Sequence, residues 1–134
     1  MIKLKQLLKE INMPRWSAVV LDEKSKNELI NMFKSQIPDD WEIICHHMTI
    51  DFRSIVNPEL VGKPITLTIT HVGKSDKALA VKVSGYEGKT NNAFPHVTIA
   101  INRKNDGKPK DSNDIKNWTP VSEIITLNGK IENL

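Results

Sequence analysis

The chain has 134 residues, of which 39% are hydrophobic and 26% charged, and these values are typical of a soluble globular protein with one domain. The net charge of +3 is compatible with an anionic ligand such as a nucleotide or an RNA end, and is too small to indicate tight duplex binding. The single cysteine, Cys45, excludes an internal disulfide and a zinc site built on several thiolates, so a cytoplasmic protein without a membrane segment is expected.

The first predicted elements are two helices with a strand between them. Residues 1–13 carry apolar side chains at helical spacing, which predicts an amphipathic helix packed on the domain. Residues 16–21, WSAVVL, predict a short strand. Asp22 is expected to cap a second helix, and its apolar stripe consists of Leu29, Ile30, Phe33 and Ile37.

The next predicted strand contains two adjacent histidines. It covers residues 42–52, EIICHHMTIDF, and successive side chains of a strand point to opposite faces. Alternation assigns His46 to an apolar face, and it assigns His47 to a polar face with Cys45 and Thr49. The two histidines are therefore expected to have different surroundings.

The second half of the chain predicts mainly strands. The runs GKPITLTITHVG and ALAVKVSG alternate between apolar and polar residues, and they predict an antiparallel hairpin. Residues 96–102, HVTIAIN, predict another strand. Residues 103–115 are polar and predict a mobile loop with a short helix begun at Ser112 or Asn113. Asn128-Gly129 predicts a two-residue hairpin turn.

One four-residue pattern occurs twice, as HMTI from His47 and as HVTI from His96. In each copy the histidine and the threonine share one strand face, and the residues between them face the other way. Two histidines brought together across a cleft can act as general base and general acid near neutral pH. Threonine hydroxyls can hydrogen-bond a phosphoryl oxygen between them. The pattern therefore predicts a site for phosphoester hydrolysis without a metal ion.

These two motifs, within CHHMTIDF and NAFPHVTIAIN, resemble those of the 2H (two-histidine) phosphoesterase superfamily. The resemblance covers about residues 15–130 and is closest to cyclic phosphodiesterase domains of tRNA-ligase-type RNA repair and their small phage-encoded relatives. It implies a bilobal α+β fold in which two antiparallel β-sheets enclose a central cleft, with flanking helices. It also implies a hydrolase that opens a 2′,3′-cyclic phosphate at an RNA or nucleotide end, typically to a 2′-phosphate.

The resemblance also implies the roles of four residues. His47 and His96 would be the acid–base pair, and Thr49 and Thr98 would hold the phosphate. Which histidine is the base stays open, as do the regiochemistry of the product and the oligomeric state. The expected partner is an RNA end or a small nucleotide, and no metal or other cofactor is expected.

Two loops supply candidate substrate contacts. In the loop before the second motif, Lys89, Asn91 and Asn92 are candidates to contact phosphate or base, and Phe94 is a candidate to stack on a base. The loop after that motif contributes Lys110, Ser112 and Asn113. The alternative is that both loops are merely solvated and that Phe94 covers the core.

Other interpretations remain open at this point. In the first interpretation, His47 and His96 are structural residues. In the second, His46, His47, His96 and Asp51 supply metal ligands. The same catalytic site also suits a cyclic oligonucleotide signal, a 2′,5′-oligoadenylate or ADP-ribose cyclic phosphate. A different class is a non-catalytic nucleotide- or RNA-binding module. His71 is expected to be structural or exposed, and Cys45 to be a small buried residue.

Overall fold

The computed structural model describes residues 15–134, so the helix predicted for residues 1–13 lies outside the described residues. Among these residues one α-helix, α1 (Glu23–Phe33), accompanies eight strands, and this mixture confirms the predicted α+β class. In chain order the strands are β1 (Ser17–Leu21), β2 (Glu42–Ile43), β3 (His47–Asp51), β4 (Pro64–Lys74), β5 (Ala78–Ser84), β6 (His96–Ile101), β7 (Trp118–Pro120) and β8 (Thr126–Asn133).

The helix α1 begins and packs as its sequence predicts. The side chain of Asp22 accepts a hydrogen bond of 2.7 Å from the backbone N–H of Ser25, which satisfies one of the free donors of the first turn. Leu29 and Phe33 are buried in the main core. The helix ends at Phe33, and a 3₁₀ turn, Lys34–Gln36, carries the chain to the next strand.

The sheet closes on itself. All its strand pairs are antiparallel, and six strands form a ring in the order β1, β3, β6, β5, β4 and β8, with β8 pairing back to β1. The strands β2 and β7 are added at the edges of β6 and β4. Two sheets were expected, whereas the described strands belong to one hydrogen-bonded sheet because β6 pairs with both β3 and β5.

The main core uses one face of these strands. Its fully or almost fully buried side chains come from every strand of the ring, and each contributes about 1.5–3 kcal/mol when removed from water. They include Val19, Met48, Ile50, Leu67, Val81, Val97, Ile99, Leu127 and Ile131. Because strand side chains alternate, the residues between these core positions point to the opposite face of the sheet, where the candidate site lies.

The predicted strand over residues 42–52 is interrupted at residues 44–46, just before His47. Ile43 pairs with Ala100 and Met48 pairs with Val97. The segment from Ile43 to Met48 is therefore two residues longer than the part of β6 that it faces. The chain takes up the excess at Cys45, whose φ of 41° lies in the left-handed region. Strict alternation therefore holds from His47 onward and fails before it.

Two further local predictions were wrong. Asn128-Gly129 makes no turn but lies within β8, where Gly129 faces Leu21 and a Cβ would collide with the carbonyl oxygen of Val20. The glycine thus permits a close approach of β1 and β8. In the polar segment, two 3₁₀ helices, Arg103–Asn105 and Pro109–Asp114, replace the predicted loop and its short helix.

Candidate functional site

The two HxT motifs lie on neighbouring strands. Met48 on β3 pairs with Val97 on β6, and both side chains point into the core. The antiparallel register around this pair sets each motif histidine beside the threonine of the other motif, and all four side chains point to the outer face. These four residues are His47, Thr49, His96 and Thr98.

His47 is half-buried between two aromatic rings. The ring of Trp16 lies 4.6 Å from its own, centroid to centroid, and the ring of His46 lies 5.1 Å away. The Nδ1 atoms of His46 and His47 are 2.9 Å apart, a hydrogen bond in which one ring donates and the other accepts. Burial, followed by the charges of His46 and His96, lowers the pKa of His47 from 6.5 to about 4.

His96 is held in one tautomer. Its side chain is 6% exposed, and its Nδ1 donates to the carbonyl oxygen of Phe94 over 3.0 Å. Since a carbonyl oxygen only accepts, Nδ1 carries a proton and Nε2 is the nitrogen left for chemistry. Burial lowers the pKa of His96 below 6.5, and the hydrogen bond to Phe94 opposes that shift because it favours the imidazolium.

The two threonines have different surroundings. Thr98 is 7% exposed, and its Oγ1 lies 2.8 Å from Oγ of the buried Ser112 and 3.3 Å from the carbonyl oxygen of Pro109. Thr49 is half-buried, and its hydroxyl has no hydrogen bond among residues 15–134. Ser112, a predicted substrate contact, therefore supports Thr98, and Thr49 presents the freer hydroxyl.

In the loop before β6, Asn91 forms hydrogen bonds that hold the loop against the end of β3. The side chain of Asn91 accepts from the backbone N–H of Phe52 over 2.8 Å and donates to the carbonyl oxygen of Phe52 over 3.0 Å. These bonds, with one from the Asn91 backbone N–H to Asp51, fasten the loop to the end of β3. The backbone N–H of Asn92 donates to Thr90, and Lys89 is exposed.

Phe94 is the member of this loop that lies at the site. Its ring centroid is 5.1 Å from that of His96 and 5.5 Å from that of Trp118. In the segment after β6, Lys110 and Asn113 are exposed, and the side-chain amide of Asn113 donates to the carbonyl oxygen of Lys110. The structure thus brings Phe94 and Ser112 to the motif residues, and it assigns Lys110 and Asn113 no contact with them.

Lys82 is a site residue that the sequence analysis missed. It pairs with His96 across β5 and β6, and its Nζ lies 4.9 Å from the ring centroid of Phe94 and 4.8 Å from that of Trp118. These are cation–π distances. The available signal was the alternation of ALAVKVS, which puts Lys82 on the face opposite Val81 and Val83.

The structure corrects the predicted faces of His46 and Cys45. His46 was expected on the apolar face, but it is exposed and contacts His47, because the bulge at Cys45 breaks the alternation. Cys45 was expected to share the face of His47, whereas its sulfur is buried in the core and bonds the carbonyl oxygen of Ile99. Burial raises the pKa of Cys45 to about 12, so the thiol is a poor nucleophile, as predicted.

No protein-family model matches the chain, and no curated protein matches it. Within residues 15–134 no group of three or more His, Cys, Asp or Glu side chains is arranged to hold a metal ion. A search of the same residues for a helix long and apolar enough to span a membrane finds none.

Proposed function

We propose that the protein is a metal-independent phosphodiesterase of the 2H type that hydrolyses a 2′,3′-cyclic phosphate at an RNA or nucleotide end. The observation that carries this proposal is the Met48–Val97 pair, which sets both HxT motifs side by side on one face of the sheet. Burial, then His46 and then His96 lower the pKa of His47, which agrees with two motif histidines on one face of the sheet. A cytoplasmic location remains a prediction from the lone Cys45.

The environments of the two histidines favour different roles. His47 has the strongly lowered pKa, so it is neutral near pH 7 and suits the general base. Its Nδ1 is engaged with His46, which leaves Nε2 to act when Nδ1 carries the proton. Burial lowers the pKa of His96 as well, but the hydrogen bond from its Nδ1 to Phe94 opposes that shift, so of the two histidines we assign His96 as the general acid.

The reaction follows from these roles. The oxygen of a water molecule attacks phosphorus while Nε2 of His47 takes the water proton. The bond between phosphorus and the 3′-oxygen breaks, and Nε2–H of His96 gives its proton to that oxygen. The products are a 2′-phosphate and a 3′-hydroxyl, and solvent exchange restores both histidines. Thr49, whose hydroxyl is free among residues 15–134, donates to a phosphoryl oxygen as negative charge develops, and Thr98 does so once its hydroxyl proton turns from Pro109 to the phosphate.

The bilobal arrangement is part of the proposal. In the described part of the chain a single residue pair, Met48–Val97, joins β3 to β6, whereas five pairs join β5 to β6. We take this short junction as the boundary between two lobes, each contributing one motif. The cleft would then run along the outer face of the junction.

The test is hydrolysis of an RNA oligonucleotide with a 2′,3′-cyclic phosphate end in the presence of EDTA. We expect turnover to a 2′-phosphate by the wild type, and a loss of about 10²–10⁴-fold in His47→Ala and in His96→Ala. Lys24→Ala, on the exposed surface of α1, is the control and should keep full activity. Activity that is retained in both histidine variants would contradict the proposed phosphodiesterase mechanism.

The same experiment separates the alternatives. Turnover of a cyclic oligonucleotide, a 2′,5′-oligoadenylate or ADP-ribose cyclic phosphate, in preference to the RNA end, would keep the site and change its substrate. RNA that binds without product, with an affinity unchanged by His47→Ala, would instead indicate a non-catalytic binding module.

A further inference from the structure

A row of polar side chains continues from the proposed catalytic site across the sheet. Extending the antiparallel register by one step from the Met48–Val97 pair sets Thr49 opposite His96, His96 pairs with Lys82, and Lys82 pairs with His71 on β4. Paired residues of neighbouring strands point to the same face. The core residues next to Lys82, Val81 and Val83, point the other way. The row therefore extends over four strands on the outer face.

Lys82 is a half-buried cation whose ammonium contacts two aromatic rings. Its Nζ lies 4.9 Å from the ring centroid of Phe94 and 4.8 Å from that of Trp118, and Trp118 packs over Gly73 on β4. A Cβ on Gly73 would lie 2.5 Å from Cε3 of Trp118, so the glycine makes room for this ring. Among residues 15–134 no carboxylate forms an ion pair with Lys82.

His71 adds a second nitrogen at the same end of the row. Its Nδ1 lies 3.0 Å from Oγ1 of Thr70, and that hydroxyl donates to the carbonyl oxygen of Lys82 over 3.3 Å. Because the threonine proton is used, Nδ1–H of His71 is the donor to Thr70. Nε2 of His71 makes no hydrogen bond among residues 15–134, and His71 lies opposite Lys82 on the neighbouring strand.

We propose that Lys82 and His71 form a second phosphate subsite, for the phosphodiester that precedes the cyclic end of a single-stranded oligonucleotide. This inference rests on the proposed function and goes further by naming the substrate class. Strands are about 4.8 Å apart, so the middle of the Lys82–His71 pair lies roughly 10 Å from the junction of β3 and β6. One phosphate cannot fill both places, and a mononucleotide would leave the second one empty.

The chemistry of this subsite suits nucleic acid. A lysine ammonium binds a phosphate as a compact charge with three donors, and it does so without reading the base. Each neutralised phosphate of a single strand adds about 0.7 to the slope of log affinity against log salt. The chain as a whole carries a net charge of +3, which favours the approach of such a strand.

The test compares two substrates of different length. Lys82→Gln removes the charge, Lys82→Arg keeps it, and Lys130→Gln on the exposed side of β8 is the matched control. For a trinucleotide ending in a 2′,3′-cyclic phosphate, we expect Lys82→Gln to raise KM about tenfold and Lys82→Arg to restore most of the loss. For a nucleoside 2′,3′-cyclic monophosphate, we expect a clearly smaller loss of kcat/KM than for the trinucleotide, because that substrate carries no second phosphate. Equal losses on both substrates, or none on either, would overturn the proposal.

A binding measurement separates this proposal from the proposed function. If the wild type hydrolyses neither substrate, the function fails, and fluorescence anisotropy with a labelled RNA trinucleotide still tests the subsite. We expect Lys82→Gln to bind about tenfold more weakly and with a salt slope lower by about 0.7. An unchanged affinity and slope would overturn the second subsite whether or not the protein is an enzyme.

Discussion

The indole of Trp16 lies against the imidazole of His47, with ring centroids 4.6 Å apart and planes inclined by 59°. Trp16 directly precedes β1, and β1 pairs with β3, so the closure of the sheet brings the two rings together. The contact helps to bury His47, and burial is the largest cause of its lowered pKa. A residue outside both motifs thus helps to keep the proposed base neutral.

Removing the indole should therefore shift the pH dependence of catalysis. In Trp16→Ala, the pKa of His47 should rise from about 4 towards 6.5, because water reaches the ring. The acidic limb of kcat/KM, which reports deprotonation of the base in the free enzyme, should move to higher pH. Trp16→Phe preserves an aromatic cover and should keep the limb in place. A limb that does not move in Trp16→Ala would refute this role.

The lowered histidine pKa values also predict a loss of stability in mild acid. Between about pH 6.5 and 4 the unfolded chain binds a proton at His47 that the folded chain does not, so stability falls as the pH falls through this window. His96 acts in the same direction, since its pKa is also lowered. The contribution of His47 is at most about 3 kcal/mol.

Urea unfolding at about pH 7 and about pH 5 measures this effect. His47→Gln cannot take up the proton, and it should lose less stability between the two pH values than the wild type. Comparing the two proteins removes the contribution of the carboxylates, which they share. An identical loss in both would show that His47 is not buried in its neutral form.

Substitutions of the two motif threonines should affect different properties, stability for Thr98 and activity for Thr49. Thr98→Val leaves the buried hydroxyl of Ser112 without its side-chain partner and should cost about 1–3 kcal/mol of unfolding free energy. Thr49→Val removes a hydroxyl that has no partner among residues 15–134, so stability should change by less than about 0.5 kcal/mol. Its single-turnover rate should nevertheless fall about 10–100-fold, because a phosphate contact is lost. Full activity in Thr49→Val would remove this residue from the site.

Local patterns were sufficient for the parts of the fold that are locally determined. The period of two in GKPITLTITHVG correctly indicated β4, whose burial alternates, and the period of two in HVTIAIN correctly indicated β6, although β6 is buried on both faces. The Asp22 cap and the stripe of Leu29 and Phe33 correctly indicated α1. The shared face of His47 and Thr49 also follows from alternation, and the structure has it.

Features that depend on the pairing of strands distant in sequence could not be predicted from local sequence patterns. The bulge at Cys45 arises because β2 and β3 pair with β6 in different registers, and nothing in CHHM signals that mismatch. The position of Lys82 beside His96 depends in the same way on the β5–β6 register. At Gly129 a local turn signal was overridden by the close approach of β1.

The most direct test of the central claim is a double-mutant cycle on His47 and His96. Single-turnover hydrolysis of the cyclic-phosphate RNA is measured in EDTA for His47→Ala, His96→Ala and the double variant. If the two residues act as one acid–base pair, each single substitution should cost about 10²–10⁴-fold, and the double variant should be scarcely slower than the slower single variant. Single losses that multiply in the double variant, or that are absent, would contradict a joint role of the two histidines.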